Sequence, residues 1–406
     1  MKTTTRAITA RVEYKEEIMR DLPVAYGNSR MAKKWSNKTI KYEDLIERLK
    51  NTKRTTETVA EYKKMSKADR DSVKDTSGCF VAGKLKDGRR DKESVVSRSM
   101  ISQDVDHANA AYIDNIKMLS PYDSIIYSTH SHTPQEPRLR HVYPLTRDVS
   151  PDEYAAISRY LAAEQGIEQF DECSFRPNQL MYYPSTPMDG EYVFEHIEGD
   201  WLDPDVFLAA HPDWRDCSLL PTTPHESEVK KAGKKQEDPL GKGGVVGAFC
   251  RCYGIREAIE KFLSDVYEPS AMEGRYDYIP ADSTAGVQIY DDKFAYSHHA
   301  TDPACGLLLN SFDLVRVHKF GEDGFKDMCE FAVKDEKVGK LMLEEKRAEA
   351  AAEFEDWDKG LQRDKSGDLI NNLHNINLIL ANDDYMKNIV FNPLADGMEI
   401  KGPVPW

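Results

Sequence analysis

The sequence predicts an α+β fold, and three observations carry that prediction. From Cys79 onward, short apolar runs of strand length, SRSMISQDVDHA and DSIIYSTHSH among them, are separated by turn residues. Between them lie helices with explicit start and stop signals. The clearest is SPDEYAAISRYLAAEQG, in which Ser150 is an N-cap, Pro151 takes the first helical position, Glu153 completes a capping box and Gly166 is the stop. Finally, 40% apolar and 10% aromatic residues suffice for buried cores, and 406 residues exceed one ordinary core, so two or three domains are expected.

In chain order, residues 1–78 read as a mostly helical N-terminal extension, from YEDLIERLKN and TTETVAEYKKMSKADRDSVKD with Thr and Ser at the helix starts. Residues 79–217 read as a mixed core. Its strands are SRSMISQDVDHA, DSIIYSTHSH and RLRHVYPL, with the helix ANAAYIDNIKMLS between the first two. The capped helix follows, then the strand-like ECSFRPNQLMYYPS and EYVFEHIEG. Residues 218–244 are polar, rich in Pro, Gly and Lys and without periodicity, and read as a linker. Residues 245–365 read as a smaller, mostly helical accessory domain: the helix GIREAIEKFLSDVY, a strand pair in VQIYDDKFAYSHH, the helix SFDLVRVHKFG, and a long charged helix over about 322–363. A small segment, 366–406, closes the chain.

A net charge of −15 argues against a uniformly basic nucleic-acid binder, but the charges are segregated. Acids concentrate late, in EEKRAEAAAEFEDWDKG. The stretch GKLKDGRRDKESVVSR instead sets Lys84, Lys86, Arg89, Arg90, Lys92 and Arg98 against three acids. It is either a solvated loop or, lying directly before the carboxylates described next, a contact for single-stranded DNA. No apolar run approaches the roughly 18 residues of a membrane span. The opening residues lack the apolar stretch of a signal peptide, and seven scattered cysteines suit reduced thiols. A cytoplasmic location with no membrane partner is expected.

The strongest local signal for chemistry is Asp104-Val105-Asp106. Alternate residues of a strand face the same side, so two carboxylates would repel unless a cation sits between them. Hard ions such as Mg²⁺ or Mn²⁺ suit these oxygen donors, and two such ions can activate a 3′-hydroxyl and stabilise departing pyrophosphate. The same residues also fit a polar strand end facing solvent. A second signal is Ser128-Thr129-His130 at the end of an apolar strand, followed by Arg138 and Arg140, which share a face by the period of two. A triphosphate needs such a group of cations; pairing with nearby acids is the plainer alternative. A third is Asp171, a candidate for a further metal ligand, for which Glu168 and Glu172 compete.

The order of these signals, a DxD strand, an SxH strand and then a strand ending in Asp, is the motif order of archaeo-eukaryotic primases. More particularly, the chain resembles the N-terminal half of the virulence-associated protein E family of phage and prophage replication proteins. The stretches that carry this are YGNSRMAKKW, TVAEYKKMSKADRDSVKD, SRSMISQDVDHA, YSTHSHTPQEPRLRHVYPL, FDECSFRPNQLMYYPS, GAFCRCYGIREAIEKFL and FAYSHHATDPACGLLLNSFDLVRVHKFG, which span most of residues 25–325. The resemblance implies an RRM-like primase-polymerase core acting in a bacterial host cell on nucleoside triphosphates (NTP or dNTP) and a single-stranded DNA template. It puts Asp104 and Asp106 at the first metal motif, His130 at the nucleotide-phosphate motif and Asp171 at the third acid. Two departures stand out. Asn178-Gln179 occupies a segment where an arginine is commoner, and no GxxxxGK[ST] occurs, although relatives usually continue into a helicase-type ATPase. A helicase, fused or separate, is the expected partner.

Zinc is not expected. Cys250, Cys252, His298, His299 and Cys305 lack the usual CxxC spacing, and His298, His299 and Asp302 read instead as a turn or a DNA-contacting surface. Three functional readings remain open from sequence: a template-directed nucleotidyltransferase, an inactive replication-initiator module that binds DNA and recruits a helicase, and a metal-dependent nuclease.

Overall fold

The computed structural model describes residues 20–224, 226, 237–355, 357–384, 386–392 and 397–402. The fold is α+β, as expected. Its strands are β1 (Leu22–Gly27), β2 (Ser36–Ile40), β3 (Lys53–Arg54), β4 (Cys79–Val81), β5 (Gly83–Leu85), β6 (Val95–Val105), β7 (Ser124–Ser128), β8 (Leu139–Val149), β9 (Met181–Tyr182), β10 (Ser185–Thr186) and β11 (Phe194–Ile197). The helices that matter for the site are α1 (Tyr42–Lys50), α2 (Val59–Lys64), α3 (Lys67–Asp75), α4 (Tyr112–Leu119) and α5 (Pro151–Gln165).

The central sheet runs in the order β11-β7-β8-β6-β5, all antiparallel. Side chains of β6 and β8 alternate between two covered faces, so both strands are buried nearly throughout. On one face Met100, Val142, Ile125 and Tyr127 pack with Leu22, Val24, Leu45, Leu49 and Phe80. On the other, Ile101, Tyr143 and Leu145 pack with Tyr154, Ile157 and Leu161 of α5. Each such buried large apolar side chain contributes about 1.5–3 kcal/mol. Helix α5 starts as its sequence dictates: Ser150 and Glu153 form the reciprocal capping box, and Gly166 follows the last turn.

The N-terminal segment is not a separate helical extension. Its helices exist, with Thr58 and Ser66 as their N-caps, but β1 and β2 precede them and join a second sheet, β2-β1-β4-β9. The six residues LPVAYG pair with β4 on one side and β2 on the other, which buries them. A short apolar run of this kind has no periodicity of its own to announce a strand. Residues 1–19 of the expected extension lie outside the described residues.

Two compact units divide the chain, and their boundaries differ from those expected. The first takes in the residues up to Gly241 and also Tyr253–Met328. The region around the expected strand pair is a five-stranded antiparallel meander, β12 (Tyr267–Pro269), β13 (Arg275–Tyr278), β14 (Val287–Tyr290), β15 (Phe294–Ser297) and β16 (Leu308–Leu309), and it belongs with the core. Buried polar groups tie it there: the Asp152 carboxylate at the start of α5 accepts the Asp282 N–H at 2.7 Å. The middle of the expected linker, residues 225 and 227–236, lies outside the described residues, but its described flanks are docked. Glu226 pairs with Arg159 at 2.7 Å, and the Cys217 N–H donates to the Thr284 carbonyl.

The second unit comprises Lys242–Cys252 and the residues from Cys329 onward. Its helix Gly244–Cys252 is held to the helix Glu336–Glu355 by Arg251, which grips Glu345 through Nε and a terminal nitrogen. The expected long charged helix is broken in two at Asp335, whose carboxylate caps the N–H groups of Lys337 and Val338. The described part of 366–406 forms a helix, Leu373–Asn382, and a hairpin of Ile389–Asn392 with Gly397–Ile400. Among the described residues no helix is long and apolar enough to cross a membrane.

Candidate functional site

The site is built at one end of the β6–β8 ladder. Asp104 stands directly opposite Arg140, because β6 and β8 pair in antiparallel register from Met100–Pro144 through Val105–Leu139. Arg140 donates from Nε to Asp104 Oδ1 at 2.8 Å and from a terminal nitrogen to the Tyr182 carbonyl at 3.2 Å. Both side chains are nearly buried, at 9% and 13% exposure. Burial alone would lower the pKa of Arg140, but the Asp104 carboxylate outweighs it and raises the pKa. Two residues on, Asp106 takes a longer contact of 3.3 Å from Arg138, and both of these are more open to solvent. The two carboxylates and the two arginines therefore form a matched four-charge group at the adjoining ends of β6 and β8.

The third acid is handled differently. The Asp171 N–H donates to the Asp104 carbonyl, which brings the two segments together. The Asp171 side chain, however, accepts the Cys173 N–H at 2.9 Å and caps the short turn Glu172–Phe175. Among the described residues no group of three His, Cys, Asp or Glu side chains could hold a metal ion. The three carboxylates are thus not grouped as a ready three-ligand set: Asp104 and Asp106 suit a hard divalent ion by donor type, and one oxygen of Asp171 caps its own turn.

Ser128 is corrected as a nucleotide contact. It is fully buried, and its hydroxyl accepts the Val193 N–H at 3.0 Å, latching β7 to the residue before β11. His130 lines a cleft of about 350 Å³ together with Tyr62, Lys63, Arg70, His132 and Arg138. Its ring is pinned from both ends, by Ser185 Oγ at Nδ1 and by Glu57 Oε1 at Nε2, each at 2.9 Å. Burial lowers its pKa, although the Glu57 carboxylate works to raise it.

The basic stretch separates into two classes. Lys84, Lys86 and Arg89 are exposed. Arg90 is corrected as a DNA contact: it donates to the carbonyls of Asn178 and Arg30. Lys92 donates to the carbonyls of Pro303 and Cys305, and Arg98 is fully buried. Sequence adjacency also misleads here. Lys84 pairs with Ser97, seven residues along β6 from Asp104, which is roughly 23 Å at about 3.3 Å per residue.

His299 and Asp302, read as a turn or a DNA-contacting surface, are both fully buried. His299 bonds Ser283 and the Tyr278 N–H, while Asp302 accepts from Tyr267 and lies 3.3 Å from His318. Cys250 and Cys252 lie on a helix of the second compact unit, and Cys305 lies in the first.

Three residues, Glu57, Lys74 and Arg70, are not singled out by the sequence, and a fourth, Gln179, stands there only as a departure from the family's pattern. Glu57 holds His130, and Gln179 reaches toward Asp104 Oδ2 at 3.4 Å from the segment that departs from the family's pattern. Lys74 on α3 lies close to Arg140, Asp71, Asp106 and Asp104, and burial followed by Arg140 lowers its pKa against the pull of the three acids. Arg70 lines the cleft. Arg70 and Lys74 are spaced i, i+4 on one helix and so share a face, a signal that was present in KADRDSVKD.

These elements define an α+β domain with a two-carboxylate, multi-arginine site beside a cationic cleft. The family model of the VapE N-terminal domain matches residues 4–223, more than half of the chain, and the chain belongs to that family. Two solved structures show similarity. The AEP domain of the cyanophage S-2L primase-polymerase (PrimPol) is 15% identical, with 47% of this chain and 89% of that chain covered and a TM-score of 0.27. Primase RepB′ is 8% identical, with 82% and 96% covered and a TM-score of 0.28. No curated protein matches the chain.

Proposed function

We propose that this chain is the catalytic part of a primase-polymerase, a nucleotidyltransferase that joins nucleotides on a single-stranded DNA template. The observation that carries the reading is the carboxylate pair Asp104 and Asp106, each matched to an arginine of the neighbouring strand, in a member of the VapE N-terminal domain family. In the reaction a 3′-hydroxyl oxygen bonds to the α-phosphorus of an NTP or dNTP and releases its proton to water. The bond from the α-phosphorus to the α–β bridging oxygen breaks, and pyrophosphate leaves with that electron pair.

Arg138 and Arg140 orient the phosphates and offset their charge, and the wall of the cleft at His130 bounds the nucleotide. Asp104 and Asp106 would hold Mg²⁺ or Mn²⁺, which makes the hydroxyl easier to ionise and stabilises charge on the leaving group. The two arginines pair with those same carboxylates. The exposed Lys84, Lys86 and Arg89 serve the template strand, and a helicase acts with the chain in the cytoplasm of a bacterial host.

The test is incubation with labelled dNTPs or NTPs, primed and unprimed single-stranded DNA and Mn²⁺. Elongated product supports the reading. Shortened DNA would assign a nuclease, and binding without chemistry would assign a helicase-recruiting module.

A further inference from the structure

The pinning of His130 leaves the cleft without an obvious anion donor at the position where the family motif implies one. With Nε2 held by Glu57, Nδ1 held by Ser185 and the Tyr62 ring 4.5 Å away, the imidazole is 2% exposed and has no N–H free to reach a ligand. Other residues of the lining differ. Arg70 projects from α3 into the same cleft and makes no side-chain hydrogen bond or ion pair with any described residue. Among the described residues, the Lys63 ammonium, on α2, has only an exposed 3.5 Å contact with Glu136. Arg138 also lines the cleft and links it to Asp106.

Three cations thus face one concavity against one exposed carboxylate, and the guanidinium of Arg70 is uncommitted. Such a planar fork matches two oxygens of a phosphate at once, which a lysine cannot do. Ser66, the N-cap of α3, fixes the direction in which the helix carries Arg70. We propose that Arg70, assisted by Lys63, is the contact for the terminal phosphates of the bound nucleotide, and that Glu57–His130 is the fixed pillar against which α2 and α3 are set. The assignment of a nucleotide rests on the function proposed above; the cationic cleft itself does not.

The test is calorimetric binding of dATP and of inorganic tripolyphosphate to the full chain and to Arg70→Ala, Arg70→Lys and Lys64→Ala. Arg70→Ala is expected to weaken both ligands at least tenfold with an unchanged unfolding midpoint, because the side chain makes no internal bond. Arg70→Lys recovers part of that affinity, and Lys64→Ala, exposed and outside the cleft, binds as wild type. Wild-type affinity for both ligands in Arg70→Ala would overturn the proposal and leave the nucleotidyltransferase reading standing. Tripolyphosphate binding that depends on Arg70, with no binding of dATP, would keep the anion cleft and sink the nucleotide. Failure of the wild type to bind either ligand overturns both.

Discussion

Arg140 and Asp104 face each other across the β6–β8 ladder, joined at 2.8 Å with both side chains almost out of solvent. A buried pair of this kind adds little net stability, but breaking it from one side strands a charge in the interior. The carboxylate proposed above to hold the metal ion is therefore also the partner of a buried cation.

That coupling separates two substitutions at one position. Asp104→Ala leaves Arg140 uncompensated and is expected to lose about 3–5 kcal/mol of stability together with all synthesis. Asp104→Asn keeps an acceptor for Arg140, so it should fold with a smaller loss and still be inactive. Asp106→Ala, at the more open pair, should abolish synthesis and destabilise the fold by at most about 1 kcal/mol. Urea unfolding alongside primer extension checks all three, and normal elongation by Asp106→Ala would remove it from the catalytic set.

Arg98 is expected to matter for folding and not for DNA. Its guanidinium donates to the carbonyls of Ala82 and Pro177 and to Ser102 Oγ, and lies 3.9 Å from the centroid of the Tyr154 ring. Arg98→Ala leaves three acceptors unmatched in the core, at a cost of about 3 kcal/mol or more. Arg98→Lys should recover little, since one ammonium cannot reach acceptors that diverge around a planar fork. A filter-binding salt titration of whichever variant folds should match wild type.

The exposed remainder of the basic stretch makes the opposite prediction. Replacing Lys84, Lys86 and Arg89 together by Ala should leave stability nearly unchanged. It should flatten the salt dependence of single-stranded DNA binding by about 0.7 in slope for each phosphate no longer neutralised. An unchanged slope means that the template runs elsewhere, and Arg90→Ala, by contrast, should lower the unfolding midpoint.

Acid sensitivity is expected from His141. Burial lowers its pKa to about 3, and its Nδ1 lies 2.8 Å from the Tyr112 hydroxyl while Nε2 has no hydrogen-bond partner among the described residues. A histidine depressed in the folded state contributes stability that is fully present above its unfolded pKa of about 6.5. As the pH falls from there toward 3, each unit costs about 1.4 kcal/mol. His141→Phe should be less stable at pH 7, having given up a buried acceptor, yet flatter between about pH 6.5 and 3.5 in urea unfolding. Parallel pH curves for the two proteins would refute the assignment.

What the sequence determined by itself was local. Ser150, Pro151, Glu153 and Gly166 specify α5 from one end to the other, because a helix terminus is satisfied by residues within three or four positions of it. The same holds for the strand that ends at Asp104 and Asp106 and for the shared face of Arg138 and Arg140, whose alternation is a period-two property, whereas the pairing of these acids with these arginines came from the β6–β8 register. Tertiary structure decided the rest. LPVAYG became a strand only because β2 and β4 offered it partners, and Arg98 left the basic surface only because three acceptors distant in sequence or along the strand surround it. His130 has no free nitrogen because Glu57 and Ser185, 73 and 55 positions away, take both. Charge and residue type are written in the chain, but whether a charged group is free or committed depends on which remote partners folding brings within about 3 Å.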